Sequence, residues 1–433
     1  MDPDPGDPAP IQFNGKRLEV RGDIPLLAAL YDAGIKAIYY SFKYGRPRGG
    51  VSFDVWDPSR LWVGENPVAQ PSLEKARKNV EVKVVKPPME AFRSLLSPFL
   101  KVGFQHSYLV RSGVGWRFAQ RFIKSSLPYP TLPTKTDEVE LKFKEPDEIR
   151  HEVVVIGGGL SGLSAAIAAA ESGAEVAVLE ADEYFGGHRY HDTLKMAAPS
   201  GRELVEMLVK EASEKGVILY SKRILLGLLD DNILGIDWGS KRLFTISSKI
   251  VILACGARDV PIVFENNDLP GIISGTAALR LVNTYGVKLG NVGVVMGATG
   301  WGYRVAAQLK EKGIDVTLIG YKDDNTQLKR SAEEAGVTLL LGYEAVKAEG
   351  KDSVKSILVS SKGERRKLDA DFVAYAALRA PSFELASQMG IDVKLDMRLG
   401  GFVPIHNWYG ETGLTEVLVA GELYGLPENS ELL

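Results

Sequence analysis

The amino-acid sequence predicts an α/β protein in which two Rossmann-like nucleotide-binding units follow a smaller α+β unit. Three observations lead to this prediction. Residues 152–180 read as a strand, a glycine turn, a helix and a second strand, and residues 292–320 repeat that order. Residues 11–20 have the alternating pattern of a β-hairpin.

The composition is that of a large globular protein. The chain has 433 residues, of which 45% are hydrophobic and 25% charged, and its net charge is -3. This balance offers no strong positive field, so we expect no nucleic-acid partner. Cys255 is the one cysteine, which excludes an intrachain disulfide and a redox dithiol within these residues. Redox chemistry here therefore needs an organic cofactor.

The first ten residues, MDPDPGDPAP, lack the basic and apolar regions of a signal peptide, and no apolar run is long enough for a membrane span. We expect a disordered tail over residues 1–10 and a cytoplasmic protein without a transmembrane segment.

Residues 11–90 are predicted to form the α+β unit. Asn14-Gly15 stands between two short alternating runs, which is typical of a two-residue hairpin turn. A helix through Leu26, Leu27 and Leu30 and a strand-like run, KAIYYSF, follow.

Residues 91–150 are predicted to be a strap and linker. Residues 91–125 alternate aromatic with basic side chains and contain no acid. One interpretation is a docking surface for another protein chain, since aromatic residues and arginine are enriched at interface centres. The alternative is a helical connector buried between two domains of this chain.

The first nucleotide motif is Gly157-x-Gly159-x-x-Gly162, placed between an apolar strand and a helix of small residues. In such motifs the first glycine permits the tight turn, the second admits a pyrophosphate and the third lets helix and strand approach closely. Glu180 ends the next strand, where a carboxylate accepts hydrogen bonds from ribose hydroxyls. We therefore predict an adenine-nucleotide site.

Other residues are assigned to the same site by position. They lie at the helix start, just after the acid, in the following double glycine and at the end of the strand KIVILAC. These candidates are Leu160, Ser161, Ala181, Gly187, His188, Cys255 and Gly256.

The second motif is an imperfect copy of the first. Gly297 and Gly302 match Gly157 and Gly162, but Thr299 replaces the middle glycine and Gly320 stands where a ribose-binding acid is expected. Residues 286–385 are therefore interpreted as a second, degenerate NAD-type domain, either a retained scaffold or a weakened nucleotide site. The first domain is predicted to comprise residues 151–285 and 386–433.

Near the end of the chain, an apolar strand leads into Gly421-Glu422. This pattern resembles the late motif of flavoproteins with two dinucleotide-binding units, in which an acid after a glycine binds the ribityl chain of the flavin.

Several segments together, SFKYGRPRGG at 41–50, the first glycine motif, VFENNDLPGI at 263–272 and the ending VAGELYG, resemble the alpha subunit of heterotetrameric sarcosine oxidase. They are also similar to multisubunit dye-linked L-proline dehydrogenases and to opine and hydroxyproline oxidases. The resemblance implies a ferredoxin-like, β-grasp fold for the amino-terminal unit. Some of these relatives carry four cysteines after the RPRG segment. Because this chain has no cysteine there, we predict no iron–sulfur cluster in it.

The resemblance also implies a division of labour. A flavin-bearing beta subunit oxidises the amine or imino acid, and this chain binds FAD, NAD or ATP at its first motif. An FMN lies at the subunit boundary, where Lys43, Arg46 and Arg48 offer three cations, and further small electron-transfer subunits can join. No catalytic or metal-ligating set is assigned to this chain.

Two other functions remain open at this stage. A self-sufficient NAD(P)H-dependent FAD oxidoreductase would use both nucleotide motifs, which the defects of the second motif disfavour. A structural nucleotide-binding subunit would use the ligand only to hold its domains together.

Overall fold

The structure, a computed structural model, describes residues 8–41, 46–84, 145–195, 199–229, 232–321 and 327–425. Lys43, the segment 91–125 and most of the predicted linker lie outside the described residues.

The amino-terminal unit is a mixed five-stranded sheet with one helix. Its elements are β1 (Pro8–Phe13), β2 (Lys16–Arg21), α1 (Leu26–Asp32), β3 (Tyr39–Tyr40), β4 (Pro47–Arg48), β5 (Leu61–Val63), β6 (Asn66–Ala69) and β7 (Glu81–Lys83). The sheet order is β2-β1-β7-β5-β6, with β1 and β7 parallel and the other neighbours antiparallel. β3 and β4 form a separate two-stranded ribbon.

The predicted hairpin is confirmed. β1 and β2 pair in continuous antiparallel register, and Asn14 and Gly15 at the turn have φ angles of 49° and 78°, as the favoured two-residue turn requires. The strand begins at Pro8, so residues 8–10 belong to the sheet and not to a tail. The alternation explains this, because Ala9 and Ile11 both point into the core.

From Asp147 to Asp259 the chain alternates parallel-sheet strands with helices and inserts an antiparallel layer. The elements are β8 (Asp147–Arg150), β9 (Val153–Ile156), α2 (Leu160–Glu171), β10 (Val176–Leu179), a 3₁₀ turn (Gly187–His191), α3 (Gly201–Glu214), β11 (Ile218–Tyr220), β12 (Arg223–Leu229), β13 (Asn232–Asp237), β14 (Arg242–Ser247), β15 (Ile250–Leu253) and β16 (Ala257–Asp259).

The remaining elements build the second unit and return to the first. They are β17 (Ile272–Ser274), α4 (Gly275–Leu279), a π-helical turn (Arg280–Thr284), β18 (Val292–Met296), α5 (Gly300–Glu311), β19 (Asp315–Gly320), α6 (Gln327–Glu334), β20 (Thr338–Leu341), β21 (Glu344–Glu349), β22 (Ser356–Ser361), β23 (Glu364–Asp369), β24 (Phe372–Tyr375), β25 (Arg379–Pro381), α7 (Glu384–Gln388), β26 (Val393–Asp396), a 3₁₀ turn (Met397–Leu399), β27 (Gly401–Pro404), β28 (Val417–Val419) and a 3₁₀ turn (Gly421–Tyr424).

Each nucleotide-type unit is built on a parallel five-stranded sheet. The first has the order β11-β10-β9-β15-β28 and the second β17-β24-β18-β19-β20. Every residue of β9 and β10 is buried, as expected for strands covered on both faces. Two further layers accompany these sheets: antiparallel β12-β13-β14, to which β8 adds in parallel, and antiparallel β21-β22-β23.

The chain passes between the two nucleotide-type units at different residues from those that the sequence predicted. β17 pairs with β24, so the second unit starts before residue 286. β25 pairs with β16, so the chain is back at the first unit by Arg379, before residue 386. Strand pairing between distant segments, which sequence periodicity does not encode, sets both boundaries.

The amino-terminal unit shares a hydrophobic core with the second nucleotide-type unit. Leu27 and Leu30 of α1 lie in one buried cluster with Ile273, Ala277 and Leu281. Buried apolar contacts of this kind hold the two units in a fixed relation. Among the described residues, no helix is long and apolar enough to cross a membrane.

Candidate nucleotide site

The glycine turn between β9 and α2 has room for a ligand at one glycine and not at the other two. A Cβ atom built on Gly157 would lie 2.2 Å from the carbonyl oxygen of Ala254, and one on Gly162 would lie 1.9 Å from the carbonyl oxygen of Gly157. A Cβ on Gly159 would meet nothing within 4 Å. The turn is therefore closely packed on the protein side and open at Gly159.

The open glycine is also the N-cap of α2, and no side chain caps this helix. Leu160 and Ser161 form its first turn, whose backbone N–H groups and helix dipole favour an anion. A pyrophosphate fits this position because the open space at Gly159 and the helix N-terminus coincide.

The carboxylate of Glu180 lies beside the same turn. Its Oε2 accepts a hydrogen bond from the backbone N–H of Gly158 at 2.7 Å, and its Oε1 accepts one from the backbone N–H of Asp182 at 2.8 Å. Burial raises the pKa of Glu180 to about 7, and these two hydrogen bonds oppose the rise. Ala181 lies between the two acids. This geometry agrees with a ribose-binding role for Glu180.

The double glycine closes over the turn. The N–H of Gly186 donates to the carbonyl oxygen of Gly158 at 2.6 Å, and a Cβ on Gly187 would lie 3.7 Å from the Cα of Gly159. His188 follows in the 3₁₀ turn. The structure thus brings together the candidates of the first motif and of the double glycine.

The carboxyl-terminal turn reaches the same region. A Cβ on Gly421 would lie 2.3 Å from Oγ of Ser161, and Oε2 of Glu422 lies 3.6 Å from a Cβ built on Gly256. Glu422 is therefore next to the end of β15. Cys255 is half-buried beside Ile156, and its Sγ lies 3.8 Å from that residue's carbonyl oxygen. Desolvation raises the pKa of its thiol to about 12.

A buried arginine that sequence reasoning missed occupies the space beside Glu422. Arg379 is 5% exposed and forms an ion pair with Glu422, while its Nη2 donates to the carbonyl oxygen of Ala257 at 2.7 Å. Its Nε lies 3.5 Å from Oδ1 of Asp259, which also accepts from the indole of Trp301 at 3.0 Å.

His188 faces this arginine. Its Nε2 lies 3.2 Å from Nη1 of Arg379 and 3.6 Å from the carboxylate of Glu422. Burial and the arginine hold the pKa of His188 well below its usual value, so the imidazole is neutral at pH 7 and accepts a hydrogen bond from the guanidinium. The only sequence signal for Arg379 was its position after the apolar strand β24.

The glycine turn of the second unit is packed like that of the first, but a side chain caps the helix that follows it. A Cβ on Gly302 would lie 1.8 Å from the carbonyl oxygen of Gly297, as in the first unit. Thr299 is the N-cap of α5: its Oγ1 accepts from the N–H of Gly302 at 3.2 Å and donates to the carbonyl oxygen of Ala376 at 3.1 Å. A Cβ on Gly320 would lie 2.4 Å from that of Ala298, so no acid fits there.

The cationic loop of the amino-terminal unit contacts the segment NNDLPG. Nη2 of Arg46 donates to Oδ1 of Asn266 and to Oδ1 of Asp268, both at 2.7 Å, and Arg48 also pairs with Asp268. Both arginines thus pair with an acid that lies far from them in the sequence of this chain, and they are not simply presented to solvent. Lys43 lies outside the described residues.

Two family models match the chain. Residues 151–430 match the model described as pyridine nucleotide-disulphide oxidoreductase, and residues 7–59 match the one described as 2Fe-2S iron-sulfur cluster binding domain. The second match contradicts the prediction that this chain carries no iron–sulfur cluster, which is corrected accordingly.

The residues of the matched amino-terminal segment do not fit such a cluster in its usual form. Clusters of this type are held by cysteine thiolates, and residues 7–59 contain no cysteine. Within the described ranges, no group of three or more His, Cys, Asp or Glu side chains is placed to hold a metal ion.

Curated relatives include the alpha subunit of sarcosine oxidase from Corynebacterium sp. strain P-1, which is 27% identical over 99% of this chain and 43% of its own length. Its counterpart from Rhizobium meliloti strain 1021 is 28% identical over 72% of this chain and 34% of its own. An opine oxidase chain from Agrobacterium tumefaciens strain Ach5 is 24% identical, covering 64% and 62%. The chain spans less than half the length of these two sarcosine oxidase relatives.

Solved structures share the fold. L-proline dehydrogenase from P. horikoshii superimposes with a TM-score of 0.67 at 21% identity, covering 99% of this chain and 72% of that one. Thioredoxin reductase from T. acidophilum gives a TM-score of 0.52 at 20% identity, covering 64% and 91%. The ferredoxin-like unit followed by two Rossmann-like units is confirmed.

Proposed function

This chain belongs to the pyridine nucleotide-disulphide oxidoreductase family of flavoprotein-type oxidoreductases, and on that premise we propose that it is the nucleotide-binding subunit of a multisubunit flavin-dependent amine or imino-acid oxidase or dehydrogenase. The oxidation takes place on a partner chain, and this chain binds an adenine nucleotide at its first glycine motif. One cysteine cannot form the dithiol that disulfide chemistry needs.

The observation that carries the binding proposal is the contrast among the three glycines of the first turn. Gly157 and Gly162 are closely packed against the backbone, whereas the space at Gly159 is open and faces the N-terminus of α2. Glu180 lies beside the same turn with its carboxylate oriented by two backbone N–H groups. The adenosine diphosphate part of FAD, NAD or ATP fits this arrangement.

Within the proposed site each residue has one task. The N–H groups at the start of α2 bind the pyrophosphate, and Glu180 accepts hydrogen bonds from the ribose hydroxyls. Arg379 holds Glu422 beside Gly256 and so fixes the site beyond the pyrophosphate. When a flavin is bound in the complex, it supplies the redox chemistry.

The proposal that the chain works within a larger complex draws support from its relatives. The sarcosine oxidase and opine oxidase relatives are both named as subunits. The sarcosine oxidase alpha subunit from Corynebacterium sp. strain P-1 aligns with 99% of this chain. We extend the proposal to an FMN at the boundary with a flavin-bearing partner, near Arg46 and Arg48. A guanidinium has five N–H donors, and Arg46 uses one nitrogen, Nη2, for Asn266 and Asp268.

The second unit weighs against a self-sufficient NAD(P)H-dependent enzyme. Thr299 caps the helix that would meet the pyrophosphate, and Gly320 leaves no room for a ribose-binding acid. The role that we propose for the second unit is that of a scaffold. It packs against the amino-terminal unit, with which it shares a hydrophobic core.

Two measurements test this function. Mass spectrometry of the nucleotides released on denaturing the purified chain should detect one adenine nucleotide per chain. Co-expression with candidate flavin-bearing partner subunits should then give dye reduction by amines or imino acids that the chain alone does not catalyse. A nucleotide-free chain, or a chain that alone oxidises NADH with a bound flavin, contradicts the proposal.

A further inference from the structure

Arg280 lies on a π-helical turn at the junction of the three units. The turn, Arg280–Thr284, follows α4 directly, and π-helical turns occur frequently at functional sites. The side chain is 7% exposed, and its Nη1 lies 2.5 Å from Oδ2 of Asp182. Arg280 also bonds the hydroxyl of Tyr285 and faces Asp54 of the amino-terminal unit.

Asp182 connects this arginine to the proposed ribose site. Its backbone N–H donates to Oε1 of Glu180 at 2.8 Å, and its carbonyl oxygen accepts from the N–H of Lys222 at 2.9 Å. The Asp182 side chain is therefore held by Arg280 while its backbone holds the Glu180 carboxylate. The path from the arginine to the ribose-binding oxygen contains one ion pair and one hydrogen bond.

We propose that Arg280 is a positioning residue for the ribose end of the nucleotide site, acting through Asp182 to orient the carboxylate of Glu180. This inference rests on the proposed function, in which Glu180 accepts hydrogen bonds from both ribose hydroxyls. It adds that a residue of the second unit, buried against the amino-terminal unit, sets how well the first unit recognises ribose.

The charges around Glu180 agree with this role. Burial raises the pKa of Glu180, the negative charge of Asp182 adds to the rise, and the positive charge of Arg280 opposes it. The thiol of Cys255 also faces Glu180, but its raised pKa keeps it neutral at pH 7. The arginine thus favours the ionised carboxylate, which is the better acceptor for ribose hydroxyls.

A purely structural arginine would affect all ligands equally, and this difference defines the test. We would strip the full chain of nucleotide and titrate it with ADP and with 2′,3′-dideoxy-ADP in a calorimeter. The ratio of the two dissociation constants measures recognition of the ribose hydroxyls alone. We expect the unmodified chain to prefer ADP by about tenfold or more, as hydrogen bonds to a charged group predict.

In Arg280→Gln and in Asp182→Asn, ADP affinity should fall about tenfold while dideoxy-ADP affinity stays within about twofold, so the ratio approaches one. Arg280→Lys, which keeps the charge, should restore part of the ratio. The matched control is Arg202→Gln, because Arg202 contacts the same turn through hydrogen bonds to Asn283 and Thr284 rather than to Asp182.

The outcomes separate the two proposals. A chain that does not bind ADP overturns the proposed function and this inference with it. A chain that prefers ADP, with the preference unchanged in Arg280→Gln and Asp182→Asn, overturns only the role of Arg280. Equal weakening of both ligands does the same. If Arg280→Gln does not fold, Asp182→Asn alone decides, because it removes the ion pair and leaves the backbone donor.

Discussion

Thr299 accepts a hydrogen bond from the backbone N–H of Gly302 at 3.2 Å, at the helix start where the first unit has the bare Gly159. The threonine side chain caps the helix of the second unit, whereas the glycine leaves the helix N-terminus of the first unit open to a ligand. The two units share a fold, and their difference at this position is the reason why we propose the nucleotide site in the first one.

Two glycines of the first turn should respond differently to alanine. Gly159→Ala should fold normally, because its φ of -70° suits any residue and the added Cβ meets no protein atom, but it should lose nucleotide. Gly162→Ala should destabilise the chain, since its Cβ would lie 1.9 Å from a backbone oxygen. Nucleotide content and urea unfolding of both variants check this. A nucleotide-loaded Gly159→Ala protein would count against the site.

Glu180→Ala should weaken ADP binding by about 10- to 150-fold, because a hydrogen bond to a charged group contributes roughly 1.5–3 kcal/mol. The matched control is Glu183→Ala, an acid that lies close by and pairs with Lys222 at the surface. Calorimetric titration of both variants with ADP gives the comparison. Equal affinities in the two variants would remove Glu180 from the site.

The glycine turns, the hairpin and the order of strands and helices could be predicted from sequence because each depends on local steric requirements. The cluster around Arg379 could not. It forms because β25 pairs with β16 across a long stretch of chain, and nothing near Arg379 in sequence marks that pairing. The contact of Arg46 with Asp268 could not be predicted either, because the two residues lie far apart in sequence.

Arg379→Met should cost about 3–5 kcal/mol of unfolding free energy, the usual cost of removing one partner of a buried ion pair. Glu422 and Asp259 would remain buried without their cation. Glu422→Gln should lower the free energy of unfolding by less, because Arg379 keeps its contacts with Asp259 and with the carbonyl oxygen of Ala257. Urea unfolding of both single variants and the double variant measures the coupling, and strictly additive effects would show that the pair does not interact.

Glu180 should make the nucleotide-free chain less stable as the pH rises from about 4.5 to 7. Its pKa is raised from 4.5 to about 7 in the fold, so the folded state binds the proton more tightly than the unfolded state over that window. Relative to Glu180→Gln, which does not titrate, the chain should lose up to about 3 kcal/mol between these limits. Unfolding curves of both proteins at pH 5 and pH 8 test this, and parallel pH profiles would contradict it.

The cationic loop should matter for assembly more than for folding. Arg46 and Asp268 are 39% and 25% exposed, and pairs of that kind contribute about 0–1 kcal/mol to stability. Arg46→Ala and Arg48→Ala should therefore unfold almost like the unmodified chain. If the loop meets an FMN phosphate at the boundary with a partner, the same variants should lose FMN from the purified complex.

The matched control for that loss is Arg17→Ala, whose arginine is 70% exposed and pairs with Glu19 beside it in β2. Flavin analysis and light scattering of the three complexes give both FMN content and assembly. FMN retained in Arg46→Ala and Arg48→Ala at the level of the control would place the FMN elsewhere. Loss of the partner without loss of FMN per remaining complex would make the loop a protein contact instead, since a phosphate ligand must change flavin retention.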